Sequence, residues 1–487
     1  MAKAASRPVI VWFRDDLRLS DHPALHEAAA SGAPLICIYV LDEHSPQLRP
    51  PEARPFGAAS RWWLAQSLRA LDNNLAERGA ALTLRRGPTA EIIAELARQT
   101  DAAAVHWIEI EIAPYRAVAD DLAEALSVAG IPHHRHGSDL LAAPAAIRTK
   151  EGRGLRVFTP FWRRVLSLGD PPKPQPAPAK LRGVRDLPSD DLASWQLEPT
   201  KPDWAGGLRD SWVAGEDAAR EKLSAFLESL PGYTPGRDRP DRDATSFLSP
   251  YLRFGEITPR QVWYAARFAA AERPAIAADV DKFLSEVGWR EFCRHLLADH
   301  PDMAARNLQP AFDDFPWVSD DDALKAWQRG STGYPIVDAG MRQLWHSGVM
   351  HNRVRMVAAS FLVKHLLIDW RLGEAWFWDT LVDADPGSNP GNWQWVAGCG
   401  ADAAPYFRVF NPVLQGEKFD PAGDYVRRWV PELAALPNKF IHQPWSATPV
   451  ELAAAGVALG DNYPEPIVDH KAGRQRALAA YAKLRQR

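Results

Sequence analysis

Val9-Ile10-Val11-Trp12-Phe13 is an uninterrupted apolar run, closed by Arg14-Asp15-Asp16. Five apolar residues with no polar residue between them read as a strand buried on both faces, the pattern of a parallel sheet covered by helices. The flanking sequence repeats the theme. Residues 34–41 read as a second strand, and 81–85 and 103–108 as shorter ones. Helical spacing fills the gaps at 23–30, 60–77, 89–99 and 118–129, with Leu64, Leu68, Leu71 and Leu75 on one face of the longest. Strand and helix in alternation predict a doubly wound parallel α/β domain over residues 1–136. There is no G-x-G-x-x-G after Phe13 and no G-x-x-x-x-G-K-[ST], so this fold does not by itself imply a dinucleotide or ATP.

Beyond the α/β half, Pro171-Pro172-Lys173-Pro174-Gln175-Pro176-Ala177-Pro178 is extended and semi-rigid. Residues 137–213 read as a long interdomain linker with little regular structure. From 214 to 487 the pattern is all-α, with apolar residues at helical spacing in 216–230, 259–271, 279–298, 320–329, 336–347 and 353–370. No fixed-period repeat is present.

Over 487 residues the hydrophobic share is 46% and the charged share 24%, the balance of a globular chain with room for two or three domains. A net charge of −4 excludes a global basic field, so any nucleic-acid site must be a local patch. Cys37, Cys293 and Cys399 are too few and too dispersed for a disulfide framework or a zinc ribbon. They suit a reducing compartment, and the expected location is cytoplasmic. Residues 9–13 are too short for a signal-peptide core, and the apolar stretch 357–368 is broken by Lys364 and His365, so no membrane span is expected. Tryptophan is abundant: 20 residues against 10 tyrosines. Most read as core filling, and some as stacking or redox groups.

Four segments of the helical half carry more polar chemistry than packing requires. In residues 232–252, arginine and aspartate alternate as in a solvated loop, and Thr245, Ser246 and Ser249 then offer hydroxyls suited to a phosphate. Glu286, Trp289 and Arg290 share one helical turn, which suits either a surface ion pair beside a core indole or a binding cluster. His351-Asn352-Arg353-Val354-Arg355-Met356 places two arginines at a helix start, where the helix dipole disfavours them. They answer to a phosphate or a carboxylate instead. Asp383-Ala384-Asp385-Pro386-Gly387-Ser388-Asn389-Pro390-Gly391-Asn392-Trp393-Gln394-Trp395 is a polar loop running into aromatics, without the carboxylate spacing of a calcium loop.

Together these segments resemble the DNA photolyase/cryptochrome family along nearly the whole chain. The similarity begins at Val11-Trp12-Phe13-Arg14-Asp15-Asp16-Leu17-Arg18-Leu19. It continues through Trp289-Arg290-Glu291-Phe292, Thr332-Gly333-Tyr334-Pro335-Ile336-Val337-Asp338-Ala339-Gly340-Met341-Arg342, residues 351–356 and residues 402–411. The resemblance implies FAD, reduced and anionic when active, held in a U shape by the helical domain. It implies that Tyr233, Thr245, Ser246, Phe247, Leu248 and Ser249 bind the phosphates and ribityl chain. Arg290, Asn352, Arg355, Asp383 and Asp385 line the flavin, and Asn389 faces its N5. Trp393, Trp370 and Trp317 match the tryptophan chain that carries electrons to the photoexcited oxidised flavin. An anionic flavin needs a nearby cation, which Arg355 supplies when oriented by Asp383.

The substrate so implied is a cyclobutane pyrimidine dimer flipped out of UV-damaged DNA. Trp289 and Trp395 match the indoles that pack on the dimer, and Met356 lines the same pocket. Glu286 matches the acid that donates to the lesion bases, a role that requires burial and a raised pKa. Arg237, Arg342, Arg353, Arg408 and Gln415 are the expected DNA contacts, a basic patch that the net charge hides.

Residue differences separate the branches of the family. A (6-4) photolyase carries histidines where Asn352 and Met356 stand. A plant-type cryptochrome usually has Asp in place of Asn389, commonly lacks the indole of Trp289 and carries a long tail, whereas this sequence stops soon after Tyr481. The DASH branch differs across residues 351–356. The expectation is a cyclobutane dimer photolyase, with a light receptor or a (6-4) photolyase as alternatives. The antenna chromophore belongs in the α/β domain or at its cleft with the helices. Ser60-Arg61-Trp62-Trp63-Leu64 resembles the branch near plant cryptochromes, so methenyltetrahydrofolate is expected ahead of a deazaflavin, with Glu111 a candidate pterin partner. Ile108 stands where the family often has Asn. His133-His134-Arg135-His136 reads as a strand end, with a metal site as the alternative; no metal is assigned. A monomer with no obligate protein partner is expected.

Overall fold

A computed structural model describes residues 7–50, 53–138, 140–402 and 407–485. Five parallel strands form one sheet: β1 (Val9–Phe13), β2 (Leu35–Leu41), β3 (Leu82–Arg86), β4 (Ala104–Ile108) and β5 (His133–His136), in the order β3-β2-β1-β4-β5. Between them run α1 (Pro23–Ala30), α2 (Ala58–Glu77), α3 (Thr89–Gln99) and α4 (Ala113–Val128). The β1 run has no polar break because both of its faces are covered. Val9, Val11 and Phe13 pack with α1 and α2, while Ile10 and Trp12 pack with α3 and α4. The doubly wound sheet is therefore as the sequence predicts, and residues 133–136, read as a strand end, form its edge strand β5. Helix α4 begins five residues earlier than its apolar spacing suggests, at Ala113-Pro114, where a proline costs no intrahelical hydrogen bond.

The connecting segment is more structured than its composition suggests. It carries α5 (Phe158–Leu166), whose Phe161 is buried among residues of the helical half. Its proline run is pinned at several points: Asp21 N donates to Gln175 O at 2.7 Å and Tyr264 Oη to Pro171 O at 2.6 Å. Helix α6 (Gly206–Ser211) closes this segment.

The helical half comprises α7 (Glu216–Glu228), α8 (Tyr233–Gly236), α9 (Ser249–Arg253), α10 (Pro259–Glu272), α11 (Ala277–Asp299), α12 (Asp321–Arg329), α13 (Pro335–Ser347), α14 (Asn352–Ser360), α15 (Trp370–Thr380), α16 (Ser388–Ala397), α17 (Pro412–Phe419), α18 (Asp424–Trp429), α19 (Pro449–Ala454) and α20 (His470–Arg485). The single helix expected over 353–370 is two helices. A π turn at Phe361–His365 ends the first, Leu367 adopts a φ of 57°, and Asp369 accepts from Arg371 N to cap the second. A capping carboxylate and a left-handed residue are local features that apolar periodicity does not register. Among the described residues no helix is long and apolar enough to cross a membrane.

The segment after β1 is the dock between the halves. Leu17 N donates to Phe254 O, Arg18 Nη1 to Gly255 O at 2.9 Å, and Arg253 Nη1 to Asp15 Oδ2 at 2.7 Å. Gly255, at φ 64°, lies against the Asp15 backbone so closely that a Cβ would overlap it. Thr258 caps α10 in a capping box with Gln261 and also donates to Asp21 at 2.7 Å. Thr258→Ala is therefore expected to cost about 2 kcal/mol, the upper end for a lost cap, measurable by urea unfolding of the whole chain.

Candidate active site

A cavity of about 520 Å³ opens in the helical half. Its wall comes from α8 and the loop before α9, from α11, from the start of α14, and from α15 and α16 with their connection. All twelve residues expected to bind the cofactor line it: Tyr233, Thr245, Ser246, Phe247, Leu248, Ser249, Arg290, Asn352, Arg355, Asp383, Asp385 and Asn389. Glu286, Met356, Trp289, Trp393, Trp395, Arg237 and Arg353 line it as well. Phe247 holds a φ of 50°, a strained conformation for a side-chain-bearing residue and one that clusters at binding sites.

The electrostatics favour an anion. Six cationic side chains line the cavity (Arg237, Arg253, Lys282, Arg290, Arg353 and Arg355) against three acids, Glu286, Asp383 and Asp385. Buried polar atoms without a hydrogen-bond partner include Arg237 Nε, Arg290 Nε and Arg353 Nε, all in this wall. Buried polar atoms are normally paired, so these donors fit a polyanionic cofactor. Arg355 Nη2 donates to both oxygens of Asp383, at 2.9 and 3.1 Å, and its Nε to Met350 O at 2.7 Å. Ser249 Oγ donates to Asp383 Oδ2 at 2.6 Å. The Arg355–Asp383 pair expected from sequence is therefore formed.

Asp385 accepts from Gly387 N and Ser388 N and lies 2.8 Å from Arg294. Burial would raise its pKa, but Arg294, Arg290 and Arg253 overcome that and hold it at about 2. A carboxylate depressed in the fold contributes stability that is present at neutral pH and is lost as pH falls from the unfolded value through about 2. Thermal unfolding from pH 6 down to pH 2 should show that loss, and Asp385→Asn should flatten this acid limb. Arg253 and Arg294 were not singled out by sequence reading. Arg294 carried a signal, since it lies one turn after Arg290 on α11.

Asn389 is fixed by a residue that sequence reading missed. Its Nδ2 donates to Glu374 O at 3.0 Å and to Glu374 Oε1 at 2.8 Å, which leaves Oδ1 as the group free to meet the cavity. Arg54, from the segment before α2, grips the same carboxylate at 2.5 and 2.7 Å. Burial pushes the Glu374 carboxyl up and Arg54 opposes it. No local pattern reveals this pair, whose members lie 320 residues apart.

Elsewhere in the wall, Trp289 stacks on Phe158 of the connecting segment, with centroids 3.9 Å apart and planes within 6°. Trp395 Nε1 donates to Asp402 O at 2.9 Å. Glu286 differs from its expectation. It was expected as a buried acid, yet its side chain is 27% exposed and is held by Arg237 at 2.8 Å and Lys282 at 2.7 Å. The i,i+4 partner Lys282 and the loop cation Arg237 reach it because α8 packs directly on α11.

The remaining expected residues are spread more widely. Trp393 and Trp370 are buried in one core cluster, with Trp317 packed at its edge. Trp370 Nε1 donates to Asn307 at 2.9 Å, and a Cβ at Gly373 of the same helix would overlap the Trp393 ring. Arg353 pairs with Asp238 at 2.9 Å. Arg342 lies outside the cavity wall, bonded to Glu432 at 2.7 Å and to Gly330 O. Arg408 is exposed beside Phe410, and Gln415 lies on α17. Residues 403–406 of the expected 402–411 motif lie outside the described residues.

A second cavity, of about 150 Å³, lies in the α/β half beyond the ends of β1 and β2. Trp12, Tyr39, Phe56 and Tyr115 give it aromatic walls, and Arg14, Arg49 and Arg54 give it cations. Open α/β sheets bind ligands at this end of the strands. Glu111 is not in this wall and lies 3.6 Å from Arg116.

Two family models match the chain: DNA photolyase over residues 9–179, and the FAD binding domain of DNA photolyase over residues 283–483. They define the class, an FAD-binding helical domain beneath a photolyase-type α/β domain. A deoxyribodipyrimidine photo-lyase of Agrobacterium fabrum is 50% identical over 481 residues, covering 98% of both chains. Cryptochrome-1 of Arabidopsis thaliana is 37% identical over 493 residues, covering 98% of this chain and 70% of that one. The crystal structure of a bacterial class III photolyase from Agrobacterium tumefaciens matches with a TM-score of 0.95 at 48% identity, covering 100% of this chain and 99% of that one. The chain belongs to the DNA photolyase/cryptochrome family.

Proposed function

We propose that this protein is a light-driven carbon–carbon lyase that splits cyclobutane pyrimidine dimers in UV-damaged DNA, with FAD as its cofactor. The observation that carries the reading is that one cavity joins Arg355, Asp383 and Asn389 to Trp289, Trp395, Met356 and Glu286. Bound FAD supplies the light-driven one-electron chemistry. Tyr233, the hydroxyls of Thr245, Ser246 and Ser249, and the loop positions Phe247 and Leu248 would hold its phosphates and ribityl chain. Arg290, Asn352, Arg355 and Asp385 would line its ring system. Asn389, an amide fixed by Glu374, offers an acceptor and cannot deliver a proton as a carboxylic acid does.

A dimer is extruded at lower cost than an intact pair because its stacking is already disturbed. Trp289 and Trp395 offer it indole faces, and Met356 fills beside them. Glu286 reaches the lesion only by exchanging its Arg237 and Lys282 partners. Arg237, Arg353 and Arg408 then answer to phosphates, with Arg342 and Gln415 further out. Trp393, Trp370 and Trp317 serve the return of oxidised cofactor to its active state. The reading includes a monomer acting in the cytoplasm.

The test is repair of a thymine cyclobutane dimer in a short oligonucleotide under blue light with reductant, beside a dark control and a (6-4) lesion. Loss of the cyclobutane lesion alone, in light alone, is the expected result. No repair by FAD-loaded protein would favour the light-receptor reading.

The antenna reading is methenyltetrahydrofolate in the cavity beyond β1 and β2. Arg14 and Arg49 suit a carboxylate tail, Asp15, Asp42 and Glu43 offer acceptors to a pterin's donors, and Trp12, Tyr39 and Tyr115 suit a flat ring. Release of the chromophore by denaturation and its mass identify it, with a deazaflavin as the contrary outcome.

A further inference from the structure

Strands β4 and β5 run parallel with His106 opposite His134 and Ile108 opposite His136. Alternation along β5 puts His134 and His136 on one face and His133 on the other, where it stacks on Trp107. On the first face the His106 and His134 rings stack with centroids 4.4 Å apart. His106 Nδ1 and His136 Nε2 are 3.1 Å apart. Helix α1 covers this face and brings Glu27, whose Oε1 lies 3.8 Å from His134 Nδ1 and whose Oε2 lies 3.8 Å from His136 Nδ1. One ligand atom from each of Glu27, His106 and His134 lies within 4.8 Å of the other two.

We propose that Glu27, His106 and His134 bind a first-row divalent transition metal ion of the Zn²⁺ type at the outer edge of the α/β domain, with His136 orienting His106. Zn–N and Zn–O distances of about 2.0–2.2 Å in a tetrahedron put ligand atoms roughly 3.4 Å apart. The cluster is wider than that, within 4.8 Å, and its His106 and His134 rings are stacked, so binding requires the exposed Glu27 to close in and the exposed His134 to turn its ring, while His106 is buried and fixed in the sheet. A metal-bound histidine usually has its other ring nitrogen held, and His136 beside His106 Nδ1 meets that need. Two imidazoles, one carboxylate and an open fourth position for water suit Zn²⁺, Co²⁺ or Ni²⁺ rather than a soft Cu⁺ ion. The ion would clamp α1 to β5, a four-residue edge strand. The sequence reading of 133–136 as a strand end is thus kept, and the ligand set is completed by two residues from elsewhere in the chain.

The test uses the full-length, untagged, FAD-loaded protein, stripped with a chelator and titrated calorimetrically with Zn²⁺. One ion per chain with micromolar affinity is expected, and Co²⁺ in its place should give tetrahedral visible absorption bands. His134→Ala and Glu27→Ala should each weaken binding by more than the roughly tenfold that loss of an outer-shell partner costs, with flavin content and circular dichroism unchanged. His133→Ala, on the opposite face, should bind as the parent does. Binding well below one ion per chain, equal affinity of His134→Ala and the parent, or equal loss in His133→Ala would each overturn the proposal.

Discussion

Asp383→Ala is expected to weaken FAD binding by about 1–3 kcal/mol, the cost of leaving the hydrogen-bond partners of a buried carboxylate unsatisfied, or roughly one to two orders of magnitude in Kd. The carboxylate does two jobs. It accepts two contacts from Arg355 Nη2 and one from Ser249 Oγ, so it sets both the cation and a hydroxyl of the binding segment. Without it, Arg355 keeps only the Met350 carbonyl among its described partners. Asp383→Asn preserves the shape and an acceptor for Ser249 but removes the charge, so an intermediate loss is expected. Equilibrium dialysis of FAD against each apoprotein measures the series. An affinity for Asp383→Ala within about threefold of the parent, well under 1 kcal/mol, would show that the pair does not organise the cofactor site.

Trp395→Ala is expected to weaken binding of dimer-containing DNA by about 1–3 kcal/mol, the worth of one base–aromatic stack, and to leave undamaged DNA nearly unchanged. The indole is partly exposed in the cavity wall and its Nε1 is tied to Asp402 O, so truncation removes a face without opening the core. Competition binding with matched damaged and intact duplexes separates the outcomes. Equal loss for both would remove Trp395 from the lesion side. Phe158→Ala should give a smaller, similarly selective loss, because Phe158 supports the facing indole of Trp289 without entering the cavity wall.

Much of the candidate site was legible because its residues cluster in short segments. The loop before α9, one turn of α11, the start of α14 and the loop into α16 each bring several cavity-lining side chains together locally. Arginines at the start of α14 conflict with the helix dipole. That conflict correctly marked Arg355, whose partner is Asp383. The burial expected for Glu286 from the family resemblance was not legible in the same way, because burial is a property of the packed surface, and its side chain is 27% exposed. Sequence reading failed also for the helix expected over 353–370, where apolar spacing continues through a break made by backbone geometry and a cap.

By itself, the sequence determined the doubly wound sheet, the helical second half and the family, since strand burial, helical spacing and motif order are all written in neighbouring residues. Only the tertiary structure decided which distant groups meet. Arg54 reaches Glu374 behind Asn389, Asp15 reaches Arg253, Phe158 reaches Trp289, and Glu27 reaches the histidines of β4 and β5. Periodicity specifies which face of an element is buried. It does not specify which element covers that face: Glu27 meets the histidines only when α1 packs on the sheet, and Arg54–Glu374 and Asp15–Arg253 exist only once the two halves have docked.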